Sequence, residues 1–164
     1  MTKKELENIG KEFARAMDQV ILRGFKVEPK DAISMFDKIG SSFLQRVSGH
    51  IAMQLELKRR IAENKFTIFS ERNRPFKEVT SFYGAICELG FTDLYKKATI
   101  DINFSRYCLR NNKPNKAAKI LRNLKIELSN SIAAYRYLTQ NVEKILLTIE
   151  KANKRKGEKV TRVK

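Results

Sequence analysis

Apolar residues recur at steps of three and four along almost the whole chain. Leu6, Ile9, Phe13, Ala16/Met17, Val20 and Ile21 form the first such stripe. That spacing gives a helix one buried face and predicts a helix over about 3–23. Gly24 ends it, and Pro29 stands close to the next start. From Asp31 the period resumes through Ile33, Phe36, Ile39, Phe43, Val47, Ile51, Leu55 and Ala62. Its phase continues across Gly49, and an interior glycine costs only about 1 kcal/mol against alanine. The expectation is therefore one helix over 31–64, with a break at Ser48-Gly49 as the alternative.

Glu71 to Pro75 reads as a loop, and Pro75 suits the first position of a helix reaching Leu89, with Phe76, Val79, Phe82 and Ile86 inside. Thr92 or Asp93 can cap a helix to Arg110 whose inner stripe is Leu94, Ala98, Ile102, Ser105 and Leu109. Ile100 to Phe104 also alternates as a strand would, but the longer window keeps the helical period. Asn111-Asn112-Lys113-Pro114-Asn115 is a tight elbow. Beyond it Leu121, Leu124, Leu128, Ser131, Tyr135, Leu138, Val142, Ile145, Ile149 and Ala152 hold the period for more than four heptads. A single helix over 115–152 would be about 57 Å long at 1.5 Å per residue. The expected fold is all-α: a helical bundle of about five helices with a long C-terminal helix at about 115–152. Residues 1–152 would form one domain, followed by a basic flexible tail at 153–164.

Lys116–Leu138 resembles the long helices of small basic four-helix-bundle proteins that accompany mobile-element reverse transcriptases. The likeness covers about one helix of leucine spacing, does not extend to the first 90 residues, and transfers no residue role.

Charge changes the picture. The 164 residues carry 34 Lys+Arg against 18 Asp+Glu, a formal net charge of +16. Residues 91–125 hold nine basic and two acidic groups, and residues 151–164 hold seven basic groups and Glu158. These two windows account for +13 of the total. Repulsion at that density disfavours the folded chain, and a polyanion relieves it while releasing its own counterions. A surface built for solubility has no need of such segregation.

The densest cluster surrounds Pro114. Lys96, Thr99, Asn103, Arg106, Arg110 and Lys113 follow helical steps opposite the apolar stripe, and Lys116, Lys119 and Arg122 continue beyond the elbow. If the turn makes the two helices antiparallel, Arg106, Arg110, Lys113, Lys116, Lys119 and Arg122 meet as a positive tip. Lys116 and Lys119 near a helix start oppose the macrodipole, an arrangement that an external anion would explain. Backbone N–H groups at the same helix start would add to a phosphate site. Asn103, Asn111, Asn112, Asn115 and Asn123 can hydrogen-bond phosphate, sugar or base edges, and Tyr107 could stack on an unpaired base, although its spacing favours the core. Tyr135 falls on the seam and Tyr137 outside it. Arg72 and Arg74 beside Pro75, and Lys58-Arg59-Arg60, are secondary basic sites.

Other classes fare poorly. No apolar run approaches the ~20 residues of a membrane span, and Met1 to Phe13 lacks a secretory apolar region. The seven glycines are isolated, and none precedes Lys-Ser or Lys-Thr, so no phosphate-binding glycine loop is present. One His and two Cys do not make the usual zinc set. No metal, cofactor or catalytic role is expected. His50 reads as structural, and Cys87 and Cys108 as reduced, half-buried packing residues of a cytoplasmic protein. The expected function is non-catalytic binding of RNA or DNA by its backbone, as an accessory factor in a nucleoprotein complex. The site would comprise Lys96, Asn103, Arg106, Arg110, Lys113, Lys116, Lys119 and Arg122. The alternative is a helical interaction or scaffold module whose 121–152 seam dimerises or docks an acidic protein. Docking of the tail on an anionic membrane ranks below both.

Overall fold

The computed structural model describes residues 1–72, 74–131 and 135–161, with side chains as far as residue 155. Every regular element among the described residues is an α-helix: α1 Lys3–Gly24, α2 Pro29–Arg46, α3 Ile51–Glu71, α4 Phe76–Leu89, α5 Leu94–Arg110, α6 Pro114–Ser129 and α7 Arg136–Thr161. Contacts gather them into two compact units, Met1–Phe91 and Thr92–Lys164. The 1–152 span expected as one domain covers parts of both.

In the first unit, α1 opens with a reciprocal cap in which the Thr2 hydroxyl accepts from the Glu5 N–H and the Glu5 carboxylate accepts from the Thr2 N–H. Exposed Glu5 is held below its ordinary carboxyl range by the Thr2 N–H and hydroxyl, which both donate to its carboxylate. The apolar period predicted for 31–64 is present but divided: Val47 to His50 reverses the chain between α2 and α3. Two features decide the reversal. Ser48 and Gly49 are poor helix formers, and folding back lets one half of the stripe cover the other. Gly40 meets Ile61 where α2 and α3 cross, and a Cβ at position 40 would stand 2.7 Å from Ile61 Cδ1. The core holds Phe13, Phe36, Leu57, Phe66, Phe69 and Ile86, all essentially fully buried. Phe13 sets its edge on Phe43 with centroids 5.3 Å apart, and Phe69 packs on Phe82 at 5.0 Å. Cys87, expected to be half-buried on α4, is exposed because its position falls outside the arc containing Val79 and Ile86.

The second unit is an α5–α6–α7 arrangement of alternating direction. Asp93 caps α5 by accepting from the Lys96 N–H at 2.7 Å. At the other end, the Lys113 N–H reaches the Cys108 carbonyl at 2.8 Å and the Asn112 N–H reaches that of Leu109 at 3.1 Å. Asn112 takes the left-handed φ of 55°. This pair of bonds is a Schellman motif, closed by an asparagine in place of the usual glycine. Pro114 then starts α6 at its first turn.

The helix expected over 115–152 is two helices. α6 stops at Ser129 and α7 begins at Arg136, with residues 132–134 of the expected helix outside the described ones. A stripe that long finds cover by turning back on itself, and Leu121, Leu124 and Leu128 pack with Leu138, Val142, Leu146 and Ile149 inside the unit. The seam expected to dock a partner is thus closed within the chain. Leu146 is buried where the reading of the stripe placed Ile145, and Tyr135, assigned to the core, is half-buried. The likeness over Lys116–Leu138 correspondingly loses its single long helix. The count is seven helices among the described residues, because both long predicted helices are hairpins. The tail expected to be flexible continues α7 as helix through Thr161, in keeping with its Lys, Arg and Glu content; residues 162–164 lie outside the described ones.

The left-handed Asn112 gives a direct test of the elbow. Asn112→Gly should leave the denaturation midpoint unchanged or raise it. Asn112→Val should cost about 1–2 kcal/mol, because a β-branched residue disfavours positive φ. Equal stabilities in a urea titration would contradict the turn geometry.

Candidate nucleic-acid interface

The eight residues expected at the site all fall in the second unit, and all are exposed. Lys96, Asn103, Arg106 and Arg110 stand on α5, Lys113 in the elbow, and Lys116, Lys119 and Arg122 on α6. At 100° per residue, Tyr95, Lys96, Thr99, Asn103, Arg106 and Arg110 occupy one arc of about 100° on α5. None of them is buried, whereas the opposite positions Ala98, Ile100, Asp101, Phe104, Tyr107 and Cys108 are.

Two tip cations are joined by aromatic rings. Lys116 Nζ lies 5.3 Å from the Phe104 centroid, Phe104 stacks on Tyr107 at 6.3 Å, and the Arg110 guanidinium lies 5.9 Å from the Tyr107 centroid. Such placements attract through the ring quadrupole. They also fix Tyr107 as a core residue, 0% exposed, in line with its spacing.

The α6 cations diverge. Steps of three drift around a helix, so Lys116 faces the α5 rings while Arg122 lines a cleft with Leu146, Ile149 and Glu150 of α7. Among the described residues, no acidic side chain pairs with Arg106, Lys119 or Arg122.

α7 adds what the sequence reading did not place here. A cleft of about 260 Å³ is lined by Leu109, Asn112 and Pro114 of the elbow and by Thr148, Ile149 and Ala152 of α7. Lys151 and Arg155 follow Thr148 by three and seven positions, on the same side of the helix, and both are exposed. The reversal after α6 thus returns the start of the C-terminal basic window, from Lys151, to the elbow. A single 115–152 helix would have carried it about 57 Å away.

Other basic groups have structural work. Arg59 donates to the carbonyls of Gly90 and Leu89 at the end of α4, at 2.7 and 3.2 Å. Arg72 donates to those of Gly24 and Val27 after α1, at 2.9 and 2.6 Å. Arg74 pairs with Glu78, Arg60 with Glu56, Lys65 with Asp37 and Arg46 with Glu12. The secondary basic sites of the sequence reading are therefore largely helix-end and ion-pair groups. Residues 1–91 carry 16 basic and 12 acidic groups, net +4; residues 92–164 carry 18 and six, net +12.

Lys97 stands apart from the basic face. It donates to Asp101 at 3.0 Å and to Glu127 of α6 at 2.9 Å. Burial pulls its pKa down, but the hydrogen bonds and charges of Glu127 and Asp101 outweigh that and hold it above the ordinary 10.5. Burial pushes the Cys108 thiol up to about 11, against an opposing pull from Lys116. Among the described residues no group of three His, Cys, Asp or Glu is placed to hold a metal ion, and no helix is long and apolar enough to cross a membrane. No protein family, curated protein or solved structure matches the chain.

Lys97→Met should destabilise the protein by about 1–3 kcal/mol at pH 7, because Asp101, 3% exposed, loses its counterion. A lysine with a raised folded pKa stabilises below its unfolded value, and that contribution fades as pH rises through the folded one. The gap between wild type and variant in denaturant titrations should therefore shrink above about pH 10.5. A gap that widens there contradicts the assignment. At about pH 8 a maleimide should modify Cys87 in the native protein and reach Cys108 only after denaturation, as peptide mapping would show.

Proposed function

We propose that the second unit binds the sugar–phosphate backbone of nucleic acid at its elbow end, as a non-catalytic accessory factor in a nucleoprotein complex. The observation that carries this reading is the cleft shared by the α5–α6 elbow and α7, which brings the start of the C-terminal basic window, from Lys151, back beside the basic elbow. Arg110 and Lys113 neighbour its lining residues Leu109 and Asn112 in sequence, and Lys151 neighbours Ala152. An apolar seam holds these like charges together, so their repulsion persists until an anion neutralises it. Phosphates in series do so and release condensed counterions. Asn112 and Asn115 stand among the cations as neutral donors to phosphate or sugar, and the first turn of α6 holds no acidic residue that would repel an anion.

Gel shifts across a salt series test the reading. The wild type should bind unrelated sequences with log K falling linearly in log salt, by roughly 0.7–0.9 per phosphate contact. Arg106→Glu combined with Lys119→Glu should weaken binding to all of them and make the slope shallower by roughly 1.5, with circular dichroism unchanged. Unaltered affinity in the folded double variant would refute the site.

A further inference from the structure

Tyr95 stands in the same α5 arc as the basic row, 57% exposed, the most exposed aromatic ring of that helix. Its ring makes no contact with another ring or with a cation among the described residues. Only its backbone carbonyl is engaged, by the Thr99 hydroxyl at 3.0 Å. From Tyr95 the arc runs through Thr99, Asn103 and Arg106 to Arg110, and it contains no acidic side chain. The acidic residues of this helix lie elsewhere: Asp93 caps the N-terminus, and buried Asp101 faces Lys97. The Asn103 amide has no hydrogen-bond partner among the described residues.

We propose that this arc is a track for single-stranded nucleic acid, in which Tyr95 stacks an unpaired base while Asn103, Arg106 and Arg110 follow the strand toward the elbow. The inference rests on the backbone-binding reading above and adds the strand form. A phosphate-only site has no use for an exposed ring. In a duplex the bases are already stacked on one another, so the ring gains little there. A single strand offers base faces, and a ring beside a charged groove binds them with little regard to sequence. Tyr95 and Arg110 are 15 positions apart, about 22 Å along the helix.

The chain has no Trp, so Tyr95→Trp would place a unique fluorophore at the head of the track. The full-length protein is titrated with oligothymidylate, with an abasic strand of equal length, and with a duplex. Oligothymidylate should quench the indole emission of that variant, whereas the abasic strand should bind without quenching. Tyr95→Ala should lower affinity for oligothymidylate about tenfold and leave abasic and duplex affinities within about twofold, while Tyr95→Phe retains wild-type binding. Equal losses for all three ligands, or none for oligothymidylate, overturn the stacking role while leaving the backbone reading intact. Failure of the wild type to bind any of the three at low salt overturns both.

Discussion

An amphipathic stripe holds its helix in place only when an apolar surface of similar length covers it, and this chain supplies that surface by doubling its stripes back. α2 lies on α3 through Gly40 and Ile61, and α6 packs with α7 in a unit whose interior holds Leu121, Leu124 and Leu146. Most helical stability in proteins comes from such packing rather than from propensity. The two reversals therefore decide which polar faces end up adjacent. In the second unit, the reversal between α6 and α7 brings Thr148 and Ala152 back to Asn112 and Pro114.

The distribution of partners for the basic side chains follows from the same architecture. Where helix ends come together in the first unit, arginines close them: Arg59 on the end of α4 and Arg72 on the end of α1. Exposed carbonyls at a helix C-terminus carry partial negative charge and draw cations. The elbow needs no such closure, because backbone N–H groups of Asn112 and Lys113 already reach its carbonyls. Arg106 and Lys119 are left facing solvent beside it.

The sequence made local structure legible and left long-range placement hidden. α1, α4 and α5 stand where periodicity and capping residues put them, because each is short enough for one stripe and one pair of end signals to define it. The two long stripes misled for one reason: phase is indifferent to whether a helix continues or folds back in register, so Ser48-Gly49 and the residues after Ser129 carried the decision with weak signals. Within the candidate site, all eight named residues proved exposed, since a face opposite an apolar stripe is a local property. That Arg122 turns toward α7, and that Lys151 and Arg155 return to the elbow, depends on the tertiary reversal. Tyr95 was legible in principle, four positions before Thr99, but a lone tyrosine near a helix start draws no attention until its exposure is known.

The ring stack under the elbow has a further consequence. Lys116 and Arg110 rest over Phe104 and Tyr107, two rings that are themselves fully buried in the core. Long cationic side chains ordinarily lose rotamer freedom when a partner arrives, at roughly 0.5–1.5 kcal/mol each. Here the rings already favour one placement for Lys116 and Arg110, whereas Lys119 and Arg106 have no ring beneath them.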